Sequence, residues 1–350
     1  MKNLIYLLFI LISLCSCEKS DVSTKIINTN FKNHILAGYD VTSIAFDNLG
    51  NAWIGTYNAF ELGNINKPKL IKYNIESNST VIYDASNSLI KDSIYIWDIA
   101  VDSKNNVWIG CDGLIKFVGV SFTKYSSKNT KIPVDFVHSI VVDSKDNIWF
   151  SSSSRIEGGL VMYDGINWNV YTPDNSEISM NGVASIAIDK NDNIWLAQYR
   201  YLGETCLIKI SNDTWTEYTS KELGFSPAYW GNIEINSKSQ VCGAIDYSLT
   251  NPEYYNPRPQ MIIFDGLECK QLQCANISGV TNVTIDNKDN IWCRLQNRQG
   301  IFDGGCLAVF NGNDWLIDSL TFEDTSIETI VQSKDNNIWI GTVNGIFINN

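Results

Sequence analysis

Only two histidines and five arginines occur in the 350 residues. So few histidines leave little material for general acid–base chemistry or for a histidine-rich metal centre. A formal charge of −12 excludes a nucleic-acid binder, because phosphate backbones demand a basic surface. Beyond residue 14 no apolar run approaches the roughly 20 residues that a spanning helix needs. The cysteines that follow the leader, at 111, 206, 242, 269, 274, 293 and 306, lack the paired spacing of a zinc site. Nucleophile elbows, phosphate loops and metal-ligand clusters are missing as well, so neither a metal nor another cofactor is expected.

The one strongly apolar run lies at the start. Met1-Lys2-Asn3 is followed by an apolar stretch over 4–14, the proportions of a signal peptide. Leu14-Cys15-Ser16-Cys17 then resembles a bacterial lipobox, with small Ser16 ahead of the cysteine that would be cut at and acylated. The expected organisation is a lipoprotein signal peptide over 1–17, a polar tether over 18–24 and one domain over 25–350. An ordinary cleaved leader is the alternative. Either way the protein is exported, as an outer-membrane or cell-surface lipoprotein or into the periplasm. Export permits disulfides. Cys293 and Cys306 are a candidate pair across one hairpin, and small buried hydrophobes are the other reading.

A repeat runs down the rest of the chain. A Val- and Ile-rich run leads to an Asp, a polar turn, an Asn, one further residue and a Trp. The copies carry Asp47/Asn51/Trp53, Asp102/Asn106/Trp108, Asp143/Asn147/Trp149, Asp189/Asn193/Trp195 and Asp286/Asn290/Trp292. The fifth copy in chain order is degraded to Asn236/Gln240/Cys242, and the seventh reads Ser333/Asn337/Trp339. Successive Trp positions lie 41 to 55 residues apart, the length of four short strands and their turns. The expected fold is all-β: one seven-bladed β-propeller of four-stranded blades. The last copy lacks a fourth strand, and the strand-like stretch over 25–35 is expected to supply it and so close the ring.

The phrase Asp…Asn-x-Trp-Ile-Gly-Thr, complete at Gly55-Thr56 and Gly341-Thr342, resembles the two-component regulator propeller repeat. The resemblance implies an extracytoplasmic sensor that responds to polysaccharide fragments. No kinase or transducing domain follows the repeats here, so binding or sensing is what carries over. A more distant similarity to streptogramin lyase-like propellers keeps an enzyme, a lyase, as an alternative.

The a-to-b turns are short and near-identical, whereas the b-to-c loops are long and dissimilar. All five arginines, Arg155, Arg200, Arg258, Arg294 and Arg298, fall in the b-to-c loops over 151–158, 198–205, 244–260 and 294–305. Arginine offers a planar fork to carboxylates, sulfates and sugar hydroxyls. Aromatic residues share that face: Tyr57, Tyr199, Tyr201, Tyr247, Tyr254 and Tyr255. Inner-strand starts add Tyr95, Trp97, Phe136, His138, Tyr229 and Trp230 near the channel mouth. The ligand-binding set is therefore Arg155, Tyr199, Arg200, Tyr247, Arg294, Arg298, Trp97, His138 and Trp230, for a polar or anionic glycan. A lyase acting on uronates would use His138 or Tyr199 as base, with arginine neutralising the carboxylate. The third class is a platform for protein partners. One polar residue per inner strand (Ser43, Asp98, Ser139, Ser185, Asn232, Asn282, Thr329) is expected to line the channel and hold water.

Overall fold

The Val- and Ile-rich run ahead of each repeat Asp becomes the inner strand of a four-stranded antiparallel sheet in a computed structural model of the chain. The structure describes residues 17–20, 23–27, 29, 31, 33–57, 60–61, 64–65, 68–90, 95–153, 157–179, 181–198, 206–225, 229–246, 260–273, 279–296, 306–318 and 325–349. Blade 1 comprises Val41–Phe46, Asn51–Thr56, Leu70–Asn74 and Thr80–Tyr83, called strands a to d from the axis outward. The inner strands of blades 2 to 6 are Asp98–Val101, Val137–Val142, Val183–Ile188, Tyr229–Ile235 and Gly279–Ile285. In blade 7 the inner strand is Ile327–Gln332. Inner strands touch in order around the ring, and blade 7 touches blade 1. The architecture is a seven-bladed β-propeller, all-β throughout the described residues. Among them no helix is long and apolar enough to cross a membrane.

Closure uses both ends of the chain. Asn33–Ile35 pairs antiparallel with Gly345–Ile348 as the outer strand of blade 7, and His34 stacks on Phe347 at 4.2 Å. Upstream, Ser23–Ile26 adds parallel to Asp314–Asp318 of blade 6, and Cys17–Ser20 adds parallel to Cys269–Leu272 of blade 5. The closing stretch expected over 25–35 thus narrows to three residues. The segment over 18–24, expected as a tether, carries parts of two edge strands. The cross-hairpin cysteine pair is corrected: Cys293 opposes Ala308 and Cys306 opposes Leu295, so register holds the two thiols apart.

The repeat Asp clasps its own hairpin. Asp47 Oδ1 accepts the backbone N–H groups of Leu49 and Asn51 at 2.8 and 2.9 Å. Its Oδ2 accepts Asn51 Nδ2 and Trp53 Nε1 at 2.8 and 2.9 Å. The same set recurs at Asp102, Asp143 and Asp286. Burial pushes the Asp47 carboxyl up, but the bonds from Asn51, Trp53 and Leu49 outweigh it and hold the group below the usual carboxylate range. The clasp holds the indole in blades 1, 2, 3 and 6, and repeat tryptophans pack between their own blade and strand c of the next. Trp53 meets Phe117, Trp108 meets Tyr163, Trp195 meets Phe264 and Trp339 meets Tyr73. Burying one such ring is worth roughly 4–6 kcal/mol by area.

Degraded copies keep the bonds by other means. In blade 7, Asn337 Nδ2 donates to Asp335 at 2.7 Å, two residues along the turn, while Ser333 Oγ accepts the Asn337 N–H at 3.1 Å. In blade 5, Asn236 Oδ1 takes the two backbone N–H groups.

The residue ahead of the repeat Asn is left-handed in every blade: φ is 77° at Gly50, 61° at Asn105, 65° at Asp146, 60° at Asp192, 60° at Ser239, 61° at Asp289 and 68° at Asn336. Asx residues tolerate this conformation, and their side chains link neighbouring blades. Asp146 accepts Ser103 N and Oγ at 2.9 and 2.7 Å. Asp192 likewise accepts Ser144, and Asp289 accepts Ser237. Gly50 has no side chain to offer, and across that junction Lys334 Nζ donates instead to Asp47 O at 2.9 Å.

A second set of links runs around the axis. Irregular register in the inner strands frees backbone N–H groups, and the polar residue of the preceding blade accepts them. Asp98 Oδ2 accepts Ile140 N at 2.8 Å, Ser139 Oγ accepts Ile186 N at 3.1 Å, Ser185 Oγ accepts Ile233 N at 3.1 Å and Asn232 Oδ1 accepts Val283 N at 2.6 Å. Ser43, Asp98, Ser139, Ser185, Asn232, Asn282 and Thr329 all line the channel, as expected, and several of them also stitch the blades. Glu234 lines it too. Burial and then the nearby Asp98 charge raise its pKa to about 7, and burial raises that of Asp98 to about 6.

Two predictions follow from these bonds. Asp47→Ala strands the Trp53 and Asn51 donors and should lower unfolding free energy by about 2–4 kcal/mol in denaturant titrations, with Asp47→Asn costing less. Glu234 takes its proton near pH 7 in the folded protein and near 4.5 in the unfolded chain, so this residue makes the protein less stable as pH rises from 4.5 to 7. Glu234→Gln should therefore raise the melting temperature at pH 8 and leave it unchanged at pH 4.

Candidate functional site

One position before each channel residue stand Thr42, Trp97, His138, Ala184, Gly231, Thr281 and Glu328, of which Thr42, Trp97, His138, Ala184 and Glu328 line the channel. The ring is lopsided. Blades 2 and 3 supply large rings, blades 4 and 5 supply almost nothing, and blade 7 supplies a carboxylate. The channel below encloses about 380 Å³.

The large residues extend into a continuous aromatic ladder over blades 1 to 3. Tyr57 stacks on Tyr95 at 4.0 Å, and Tyr95 on Trp97 at 4.2 Å with planes 12° apart. Trp97 meets Phe136 at 5.1 Å, and Phe136 meets His138 at 5.4 Å. Strand geometry holds the ladder: Tyr57 and Tyr95 form a β-bridge, and Trp97 N donates to Gly110 O. Trp97 and Phe136 remain 37% and 36% exposed, unusual for rings this large. His138 is the inner rung. Its Nδ1 lies 3.1 Å from Ser151 Oγ, and burial lowers its pKa to about 4 against the Val183 backbone hydrogen bond, so the ring is neutral at physiological pH.

Acidic groups edge the ladder. Burial, then Glu328, raises the pKa of Asp40 to about 6. Burial raises that of Tyr95, helped by Tyr57, Asp40 and Glu328. Asp40 and Glu328 did not stand out in the sequence, although Glu328 is visible once the mouth positions are aligned. Among the described residues no group of three or more His, Cys, Asp or Glu could hold a metal.

Two expected ligand contacts are structural. Trp230 sits two positions before its channel residue, aligned with Val41, Ile96 and Val137, and is 3% exposed in the core between blades 4 and 5. A Cβ on Gly243 would lie 2.6 Å from its ring, so that glycine makes the room. Arg294 belongs to strand b, Ile291–Gln296, not to a loop. Its Nη1 donates to Ile327 O at 2.8 Å and lies 3.7 Å from Glu328, bracing blade 6 against blade 7. Trp97 and His138 are at the mouth as expected. Arg155, Tyr199, Arg200, Tyr247, Arg258 and Arg298 lie outside the described residues, in the segments joining strands b and c.

Comparison with known proteins matches this geometry at the level of the fold. A family model described as two component regulator propeller matches residues 35–58, 88–113 and 321–344. A search by sequence among curated proteins finds no match. The extracellular domain of a putative hybrid two component system from B. thetaiotaomicron superposes with a TM-score of 0.65 at 16% identity, over 93% of this chain and 40% of that one. Streptogramin B lyase gives 0.64 at 14% identity, over 91% and 95% of the two chains. YCF48 bound to D1 peptide gives 0.63 at 10% identity, over 93% and 97%. The chain spans well under two thirds of the first of these and nearly all of the other two. The matched segments, in blades 1, 2 and 7, are similar to the two-component regulator propeller repeat, and the ring they belong to is a seven-bladed β-propeller.

Proposed function

We propose that the protein is an exported binding or sensing protein whose channel mouth takes a polar oligosaccharide. The aromatic ladder carries this reading. Exposed, rigidly stacked rings present flat apolar surface to the C–H face of a sugar, at little entropic cost because packing already fixes their rotamers. Asp40 and Glu328 beside the ladder are acceptors for sugar hydroxyls. Arg155, Arg200, Arg258 and Arg298 belong to the stretches of sequence that join strands b to c. Those arginines would contact further hydroxyls or the carboxylates of an acidic glycan. The extracellular domain of a putative hybrid two component system among the structural neighbours agrees with this reading. Binding is favoured over lyase chemistry because His138, with its pKa near 4, is a weak base at neutral pH.

Membrane attachment is proposed to run through acylation of Cys17. Its backbone is in register with Cys269 on the outer edge of blade 5, so the anchor would hold that rim of the ring towards the bilayer.

On an array of neutral and uronate-containing glycans, Trp97→Ala should reduce binding of the purified protein at least tenfold, with its melting temperature kept within about two degrees. Undiminished glycan binding by that variant, or none by the parent, rejects the ladder as the site. In cells fed an alkynyl fatty acid, Cys17→Ser should abolish labelling and Cys15→Ser should preserve it. Labelling that survives Cys17→Ser means the anchor lies elsewhere.

A further inference from the structure

Two residues beyond the channel position, the inner strands of six blades carry Ala45, Ala100, Val141, Ala187, Thr284 and Val331. Blade 5 carries Glu234 there, and Glu234 lines the channel. A carboxylate at this depth is costly unless a partner answers it. Among the described residues the Glu234 carboxyl makes no hydrogen bond, although the protein encloses it closely enough to raise its pKa. The charge that reaches it is another acid, Asp98, from blade 2 on the far side of the ring. Asp98 is itself held in place, accepting Ile99 N and Ile140 N at 2.8 Å each.

Among the described residues no lysine or arginine lines the channel, whereas Glu328 at its mouth adds a third carboxylate. Glu328 Oε1 accepts Ser326 Oγ at 2.8 Å and lies 3.7 Å from Arg294 Nη1, while its Oε2 makes no hydrogen bond among the described residues. Asp40 stands near enough for Glu328 to raise its pKa. Arg294 balances only one of these two acids, so one negative charge at the mouth goes unanswered. The channel charges are spread along the axis and not gathered. Glu328 stands one residue before its channel position, Asp98 at it and Glu234 two residues beyond. Three steps of strand separate the outermost pair, about 10 Å. A metal ion needs ligands converging on one point, and among the described residues no such group exists. Carboxylates set out in a line suit a ligand that is itself an extended polycation. The hydroxyls of Ser43, Ser139 and Ser185 line the level between them and can accept N–H groups.

We propose that the channel is a binding site for a linear aliphatic polyamine of the spermidine class, with one terminal ammonium at Glu328, the inner ammonium beside Asp98 and the other terminal ammonium at Glu234. Trp97, 37% exposed at the mouth, offers a ring face that attracts the outer cation. The glycan reading places its ligand on the aromatic ladder and makes no use of Glu234, so the two can fail separately. The test measures spermidine binding to the purified full chain by isothermal titration calorimetry at low salt and pH 8, where Asp98 and Glu234 are both ionised. Spermidine should bind saturably at one site, at least tenfold more tightly than butylamine, which carries a single ammonium. Glu234→Gln should weaken spermidine at least tenfold, and Glu328→Gln by a similar factor. Glu268→Gln, an equal loss of charge at an exposed position outside the channel, should leave the affinity within twofold. Spermidine that fails to bind the parent, or that binds Glu234→Gln as tightly, overturns the proposal. An equal loss in Glu268→Gln also overturns it, since the attraction would then be to the acidic surface as a whole.

Discussion

A carboxylate at the foot of five of the seven inner strands organises the ring. Because Asp47 and its counterparts at 102, 143 and 286 hold two backbone amides, an Asn and an indole at once, hairpin, strand register and blade packing are set by one group. The tight turn forces its next-to-last residue into the left-handed region, where Asx residues are tolerated. Those side chains are then available to accept from the Ser of the preceding blade. One local constraint thus generates the long-range links. The channel residues add a second tier, so neighbouring blades are tied both at the axis and at the turn face. The mouth therefore stands on a frame whose parts move together, the preorganisation that a stacked aromatic platform requires.

Variation among the copies follows the same logic. Blade 7 loses the Asp and recovers a carboxylate from Asp335, whereas blade 5 loses the carboxylate and the indole together. Its tryptophan is found instead at the opposite end of the blade, as Trp230 over Gly243. Blade 4 keeps Asp189 and Asn193, yet Trp195 Nε1 finds no acceptor among the described residues.

The blade count, the closure and the channel residues were legible because each rests on a pattern repeated seven times, and repetition averages out local noise. The mouth was legible in part. Trp97 and Trp230 look alike in the sequence because each stands at the start of an inner strand with a tyrosine one or two residues before it. Only counting back from Asp98 and Asn232 separates them: Trp97 is one residue away and faces the mouth, while Trp230 is two away and faces the core. Arg294 misled because it replaces the glycine of the Gly-Thr ending: aligned on the repeat Trp it takes the Gly55 position, inside strand b. The link between a turn Ser and the next blade's Asp escaped notice because its partners lie more than 40 residues apart, in turns whose uniformity reads as mere scaffold.

Blade 7 draws its outer strand from residues 33–35 and its inner three from residues 327–348. Joining Asn33 to Ile348 closes a loop of more than 300 residues, an entropic cost of about 5 kcal/mol if met in one step from a disordered chain. Docking the intervening blades in order shortens the effective loop until the two ends already lie side by side. During synthesis or export this early strand is therefore among the last to find its partner. Until then blade 7 lacks its outer strand, and the interval is the time in which a chaperone or a second nascent copy can compete for that edge.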